Sequence, residues 1–90
     1  MQYRIIYKAE CFAEEGTQYY SVFHSSEALD FLAHTFKQGH IDATALEIIT
    51  VEEFDRFRNK WHSRLAPAIE DCSDPQLFKE GDRIWLRKES

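Results

Sequence analysis

Residues 46–65 read LEIITVEEFDRFRNKWHSRL, which predicts a short strand running directly into a helix. The strand is the apolar run Leu46–Ile49, and Thr50 after it is a candidate N-cap. Thr50 and Glu53 have the spacing of a capping box, in which each side chain accepts a hydrogen bond from the other residue's backbone amide. The pattern therefore predicts that a helix begins immediately after the strand.

An aromatic stripe continues this predicted helix. Ile49 and Phe54 have the spacing of a hydrophobic staple, which would fix the angle between strand and helix. Further apolar residues recur at three- and four-residue steps, at Phe54, Phe57, Trp61 and Leu65. Such spacing is typical of the apolar face of an amphipathic helix, so the helix is expected to extend to Leu65.

The N-terminal part of the chain predicts a β-hairpin. Tyr3–Ala13 alternates between two sets of side chains, one of them mostly apolar, as expected of a half-buried strand. Residues 14–17 include Gly16 and predict a tight turn. Gln18–His24 is rich in β-forming residues and is expected to pair back antiparallel with the first strand.

A helix is predicted after the hairpin, with Ser25 or Ser26 as its N-cap and Gly39 as its left-handed stop. Its core stripe consists of Leu29, Leu32, Ala33 and Phe36. Phe31 lies nearly opposite that stripe, among polar residues. We therefore expect Phe31 to contact either another element of this chain or another molecule.

The C-terminal third completes the predicted fold. Pro67 is expected to end or kink the long helix, and Asp74-Pro75 to open a single helical turn through Phe78. Arg83–Arg87 is predicted to be the last strand. The order is therefore strand, strand, helix, strand, helix, strand. The predicted fold class is α+β, a two-layer sandwich in which two helices pack on one face of a mainly antiparallel four-stranded sheet.

Length and composition predict a single domain spanning residues 1–90. With 43% hydrophobic residues and thirteen Phe, Trp or Tyr, the chain belongs to the globular class. Cys11 and Cys72 fit neither a disulfide scaffold nor a Cys-x-x-Cys metal site, so both are expected to be reduced thiols in the cytoplasm. No signal-peptide pattern is present, and no apolar run approaches the about 20 residues that cross a bilayer, so no membrane association is expected.

The formal net charge of −5 is unevenly distributed along the sequence. Up to Asp55 there are ten acidic and three basic residues, whereas from Arg56 onward there are eight basic and six acidic ones. Such an asymmetry indicates two faces with different electrostatic preferences. Acidic residues that merely solvate the N-terminal half would give the same pattern.

The sequence contains no pattern typical of catalysis, a metal or a cofactor, and none of the three is expected. Cys11 and His24 are a nucleophile and a base that the hairpin could bring together, but no third group orients them. The four histidines lack the spacing of adjacent metal ligands on one strand or helix. Gly16, Gly39 and Gly81 are isolated, which excludes a Gly-rich phosphate loop.

Two predicted surfaces are candidates for nucleic-acid binding. Arg56, Lys60 and Arg64 recur at four-residue steps and would form a phosphate-binding strip on the helix. The same spacing is typical of a solvated helix back, which the sequence pI of about 5.3 favours. Trp85 on the last strand, together with Tyr20 or Tyr19 on the hairpin, would form an aromatic sheet face. A protein partner, a second copy in a homodimer or stacked RNA bases would each cover that face.

The first hypothesis is a non-enzymatic protein-binding module whose acidic surface blocks a basic, nucleic-acid-binding surface of a partner protein. In type and size the chain is comparable with small inhibitors encoded by phages and other mobile elements, anti-CRISPR proteins among them. The residues expected to bind the partner are Glu10, Glu14, Glu15, Glu27, Asp30, Phe31, Tyr20 and Trp85. The alternative is a small nucleic-acid-binding or regulatory module using the Arg56–Arg64 helix or the Trp85 sheet face. A third hypothesis is a small enzyme or ligand-binding dimer with its pocket between subunits.

Overall fold

The computed structural model describes residues 1–10, with Glu10 as backbone only, and residues 18–87. In chain order the elements are β1 (Tyr3–Glu10), β2 (Gln18–Phe23), α1 (Ala28–Lys37), β3 (Ala45–Asp55), β4 (Lys60–Ser63), α2 (Leu65–Asp71), β5 (Leu77–Glu80) and β6 (Arg83–Arg87). The turn predicted at residues 14–17 lies outside the described residues, as do residues 11–13 of the first predicted strand.

The strands form one antiparallel sheet in the order β2-β1-β3-β6-β5, and β4 pairs with the C-terminal part of β3 beside this path. The predicted α+β class, the antiparallel sheet and the presence of two helices are confirmed. The predicted strand number is wrong, because the described residues form a six-stranded sheet instead of a four-stranded one. The observed order is strand, strand, helix, strand, strand, helix, strand, strand, which also differs from the prediction.

The prediction of a helix over residues 50–65 is wrong, because the strand that begins at Ala45 continues to Asp55. Four consecutive β-branched residues, Ile48–Val51, cross the predicted start of the helix, and such residues favour an extended backbone. β3 lies inside the sheet, with β1 along one edge and with β4 and β6 along the other. Pairing on both edges therefore outweighs the capping pattern at Thr50.

A β-bulge in β3 explains why its apolar residues do not alternate strictly. Ile6 opposes Thr50 and Tyr7 opposes Ile48, so the intervening residue of β3 is an extra one. The bulge shifts the alternation of side chains by one position. Val51 therefore enters the same core cluster as Ile48, three residues earlier in the chain.

β3 and β4 form a second hairpin, which replaces most of the predicted helix. Phe54 pairs with Trp61, and the strands close around a four-residue loop at residues 56–59. Loops of this length are common in hairpins. Asn59 has a left-handed backbone conformation with φ of 55°, which asparagine tolerates better than most residues.

Both helices contribute to a single core cluster on one face of the sheet. Glu27 occupies the N-cap position of α1, instead of Ser25 or Ser26. Gly39 follows α1 in a left-handed conformation with φ of +84°, as the sequence predicted. The largest fully buried side chains are Phe36, Ile5, Leu29, Leu32, Leu46, Leu86 and Val51.

α2 begins where the long helix was predicted to end. Pro67 lies in its first turn, where the missing backbone N–H would have no intrahelical partner. Farther along, the Gln76 backbone amide donates a hydrogen bond to Asp74 at 2.9 Å, but the strand β5 follows at Leu77 instead of the predicted helical turn through Phe78. Neither helix of the described chain has the length and apolar character that a membrane span requires.

Candidate interaction surfaces

The helices and the segments next to them form an acidic layer. Residues 24–44 and 65–76, here called the helical layer, contain six acidic side chains and one lysine. Glu27, Glu70 and Asp71 are exposed. Within the described residues, no cation lies at ion-pair distance from these three carboxylates. The outer side of the helical layer therefore carries uncompensated negative charge.

The acidic side chains of β3 are compensated, in contrast. The pairs are Arg83 with Glu47 at 2.8 Å, Arg4 with Glu52 at 2.7 Å, Arg64 with Glu53 at 2.8 Å and Arg58 with Asp55 at 3.9 Å. The pKa of Glu47 is lowered, mainly because the Arg83 guanidinium donates hydrogen bonds to its carboxylate. Among the described residues, the exposed carboxylates without an ion pair therefore lie mostly on the helical layer, and Glu80 and Asp82 beside the β5–β6 turn are the others.

Phe31 is the exposed aromatic residue of α1. Its side chain is 45% exposed, and its ring stacks on that of Phe23 in β2 with the ring centroids 6.5 Å apart. Glu27 lies one helical turn before Phe31 and shares its outer face. The prediction that Phe31 lies off the core stripe is confirmed, and the ring is presented beside an unpaired carboxylate.

Asp30 joins the two parts of the helical layer. Its Oδ1 atom accepts hydrogen bonds from the Ser73 backbone amide at 3.1 Å and from the Cys72 thiol at 3.5 Å. This carboxylate ties α1 to the segment after α2, so it is less open to a partner than Glu27 is. The side chains of the other predicted acidic contacts, Glu10, Glu14 and Glu15, lie outside the described residues.

The other face of the sheet carries no helix in the part of the chain that the structure describes, and it presents aromatic rings covered by arginines. The guanidinium carbon lies 4.2 Å from the ring centroid for Arg4 over Trp61, 4.7 Å for Arg83 over Trp85 and 4.5 Å for Arg87 over Phe78. Trp85 is only 7% exposed, so it does not form the uncovered surface predicted for it. Tyr20 is 70% exposed, and the open part of this face therefore lies near β2.

Arg56, Lys60 and Arg64 do not share a helix face, because they lie on the β3–β4 hairpin and immediately after it. The Arg64 side chain is bound to Glu53, with Nε 2.8 Å from the carboxylate. Arg56 and Lys60 are exposed near the hairpin tip, on either side of the fully exposed Phe57. The predicted phosphate-binding strip on a helix is therefore wrong, and the structure places a basic hairpin tip there instead.

Comparison with known proteins leaves the function to be inferred from these surfaces. No protein-family model, curated protein or solved structure matches this chain. The charge, exposure and mutual contacts of the side chains are consequently the observations from which a function follows. Two surfaces stand out by those criteria, the helical layer and the hairpin tip.

The sequence did not predict two features of the hairpin. Phe57 was assigned to the apolar stripe of a helix, whereas its ring is fully exposed. Asp55 and His62 face each other across the hairpin, with Oδ2 3.3 Å from Nε2. Hydrogen bonds from the backbone amides, that of Arg58 first, lower the pKa of the Asp55 carboxyl. Asn59 between two segments rich in β-forming residues was the feature that indicates this turn.

The described histidines and cysteine do not come together as a reactive cluster. No group of three or more His, Cys, Asp or Glu side chains within residues 1–10 and 18–87 is placed to hold a metal ion. Phe23 pairs with Tyr3, so His24 follows β2 at the end of β1 that is farthest from Glu10, and Cys11 lies outside the described residues. Cys72 is a free thiol beside the Asp30 carboxylate.

Burial raises the pKa of the Cys72 thiol to about 11. Because the thiolate is the reactive form, we expect Cys72 in a Cys11→Ser background to be alkylated about a hundredfold more slowly than an exposed cysteine near neutral pH. Iodoacetamide labelling followed by mass spectrometry measures this rate, and the rate should rise with pH toward the raised pKa. The same variant unfolded in denaturant is the control, and equal rates in both states would contradict the prediction.

Proposed function

We propose that this protein is a non-enzymatic, protein-binding module whose helical layer occupies a basic, nucleic-acid-binding surface of a partner protein. The observation that carries the proposal is the contrast between the unpaired carboxylates of the helical layer and the paired carboxylates of β3. Complementary charge accelerates association and fixes the orientation of two proteins. The helical layer offers that complement to a surface rich in lysine and arginine.

Phe31 supplies an apolar anchor within this charged surface. Aromatic residues carry a large share of the binding energy when a partner buries them. The stack of Phe31 on Phe23 restricts the ring before binding, which reduces the entropy lost when a partner immobilises it. Glu27 lies beside the ring, so charge and apolar contact are available at the same place.

In this proposal the protein inhibits its partner by excluding nucleic acid. Small inhibitors encoded by phages and other mobile elements, including anti-CRISPR proteins, often work in this way, and the present chain is comparable with them in type and size. The proposed role requires no cofactor and places the protein in the cytoplasm with its partner. The Cys72 thiol, which burial keeps protonated, supports a structural role for this side chain.

Charge reversal on the helical layer tests the proposal. The tagged protein would be used to recover a partner from its source cell, and the purified pair would then be measured in solution. We expect Glu27→Lys with Asp71→Lys to weaken the complex about a hundredfold, since like charges placed across an interface cost several kcal/mol. Phe31→Ser should weaken it as well, and added salt should weaken the wild-type complex.

The matched control reverses two exposed acidic residues outside the helical layer, Glu80→Lys with Asp82→Lys, and changes the net charge by the same amount. This control should bind the partner with nearly wild-type affinity, because only the position of the charge differs. The wild-type protein should also displace nucleic acid from the partner. Equal losses in both double variants, or a partner that still holds its nucleic acid when saturated, would overturn the proposal.

A further inference from the structure

The tip of the β3–β4 hairpin combines a fully exposed aromatic ring with local positive charge. The Phe57 side chain is fully exposed, and Arg56, Arg58 and Lys60 around it are exposed as well. This charge is opposite in sign to the formal net charge of the chain, which is −5. The Phe57 ring contributes nothing to the core, so its exposure between cations points to contact with another molecule.

The Asp55 side chain braces the hairpin tip with hydrogen bonds. Asp55 Oδ1 accepts a bond from the Phe57 backbone amide at 2.9 Å and one from the Arg58 backbone amide at 3.2 Å. Asp55 Oδ2 lies 3.3 Å from His62 Nε2. A contact loop that is already ordered loses less conformational entropy on binding than a flexible one does.

Behind the tip, the same side-chain chemistry continues onto the open face of the sheet. The rings of Phe54 and Trp61 pack with centroids 5.1 Å apart, and the Arg4 guanidinium lies 4.2 Å from the centroid of Trp61. Arg4 also lines a shallow hollow with Tyr20, which is 70% exposed. Further aromatic rings therefore lie on this face between the base of the hairpin and β2, together with the Arg4 guanidinium, which pairs with Glu52.

We propose that the hairpin tip and this adjoining face bind single-stranded nucleic acid. A base would stack on Phe57, and the exposed cations Arg56 and Lys60 would neutralise phosphates. Arg58 would exchange its ion pair with Asp55, at 3.9 Å, for a phosphate. Clustered cations are complementary in charge to a polyanion, and exposed flat rings can stack on bases, so both features favour nucleic acid as the ligand. Bases in a duplex already stack on one another, so exposed rings favour a single strand. The hairpin surface is separate from the helical layer, and this interaction does not depend on the proposed function.

Fluorescence anisotropy with labelled oligonucleotides of about 15 nucleotides tests the proposal, using single strands and the matching duplex. We expect single strands to bind more tightly than the duplex, and Phe57→Ala to weaken single-strand binding about tenfold because one base no longer stacks on the protein. Arg56→Gln with Arg58→Gln should reduce the slope of log K against log salt by about 0.7 for each phosphate that is no longer neutralised. Phe31→Ala, the same truncation on the helical layer, should bind like the wild type.

Thermal unfolding of each variant shows whether weaker binding comes from weaker folding, and no change is expected because Arg56, Phe57 and Arg58 are all exposed. Tyr20→Ala provides a second test on the β2 side of this face and should weaken binding about fivefold. Absence of single-strand binding at low salt would overturn the proposal. So would equal affinity of Phe57→Ala and wild type, or a change of oligomeric state in the tip variants without a change in nucleic-acid binding.

Discussion

Replacing Glu52 with proline is expected to unfold the domain. Glu52 lies within β3 and pairs with Arg4 of β1 on one edge and with Ser63 of β4 on the other. Proline has no backbone N–H and is restricted to edge strands and bulges. A ladder acceptor left without its donor costs about 1–3 kcal/mol, and the proline ring also disrupts the pairing of neighbouring residues.

The expected destabilisation is a large part of the total stability, because domains of this size are stable by about 5–15 kcal/mol. Circular dichroism should show either no folded state or a melting temperature lowered by more than about 15 °C. Glu52→Ala is the matched control: it removes only the partly exposed ion pair with Arg4, which is worth about 1 kcal/mol or less. In the helix predicted from the sequence, Glu52 would lie in the first turn, where proline is tolerated. If the proline variant melts at the same temperature as the alanine variant, the result would support the predicted helix and contradict the assignment of residue 52 to β3.

The distinction between helix and hairpin is where prediction from the sequence failed. Phe54 and Trp61 are seven residues apart, which places them on one side of a helix after two turns. The same two residues are cross-strand partners when the chain reverses at residues 56–59. Spacing alone cannot separate the two arrangements. The run of β-branched residues at Ile48–Val51 favours the hairpin, but it stood next to a good capping pattern at Thr50.

Local patterns succeeded where a single element accounts for them. Gln18–Phe23 and Arg83–Arg87 are strands within or at the limits predicted for them, and Gly39 ends α1 as expected. In these segments the apolar period and the turn residues indicate the same structure. The number of strands was predicted wrongly because β4 lies in the segment assigned to the long helix and β5 begins in the segment assigned to a helical turn.

Prediction of the candidate surfaces depended on the same distinction between helix and hairpin. Phe31 was identified from the sequence because the pattern of α1 was correct, so the residue off its apolar stripe was also correct. Phe57 was missed because a wrong helix assigned it to the core. Trp85 is buried under Arg83 although it lies on the face without helices, since cross-strand and cation–π neighbours cover its ring. Exposure of an aromatic residue on a sheet depends on neighbours that the sequence does not place.

The second large effect is expected from replacing a phenylalanine of α1, and it depends on which of the two is replaced. Phe36 is completely buried, whereas Phe31 is 45% exposed on the outer face of the same helix. We expect Phe36→Ala to lower the free energy of unfolding by about 3–5 kcal/mol, because apolar surface is no longer removed from water and a cavity remains. Phe31→Ala removes one partly exposed ring stack and should cost about 1 kcal/mol or less. Urea unfolding followed by circular dichroism measures both values.

The pair of variants also decides how binding data on Phe31 can be interpreted. If Phe31→Ala unfolds at nearly the urea concentration of the wild type, weaker partner binding by a Phe31 variant reflects the missing ring at the interface. If Phe31→Ala is instead as destabilised as Phe36→Ala, the ring belongs to the core and cannot act as the anchor of the helical layer. Only side chains of α1 that are not buried in the core are available to a partner. The burial of Phe36 and the exposure of Phe31 therefore connect the packing of α1 to the proposed binding surface.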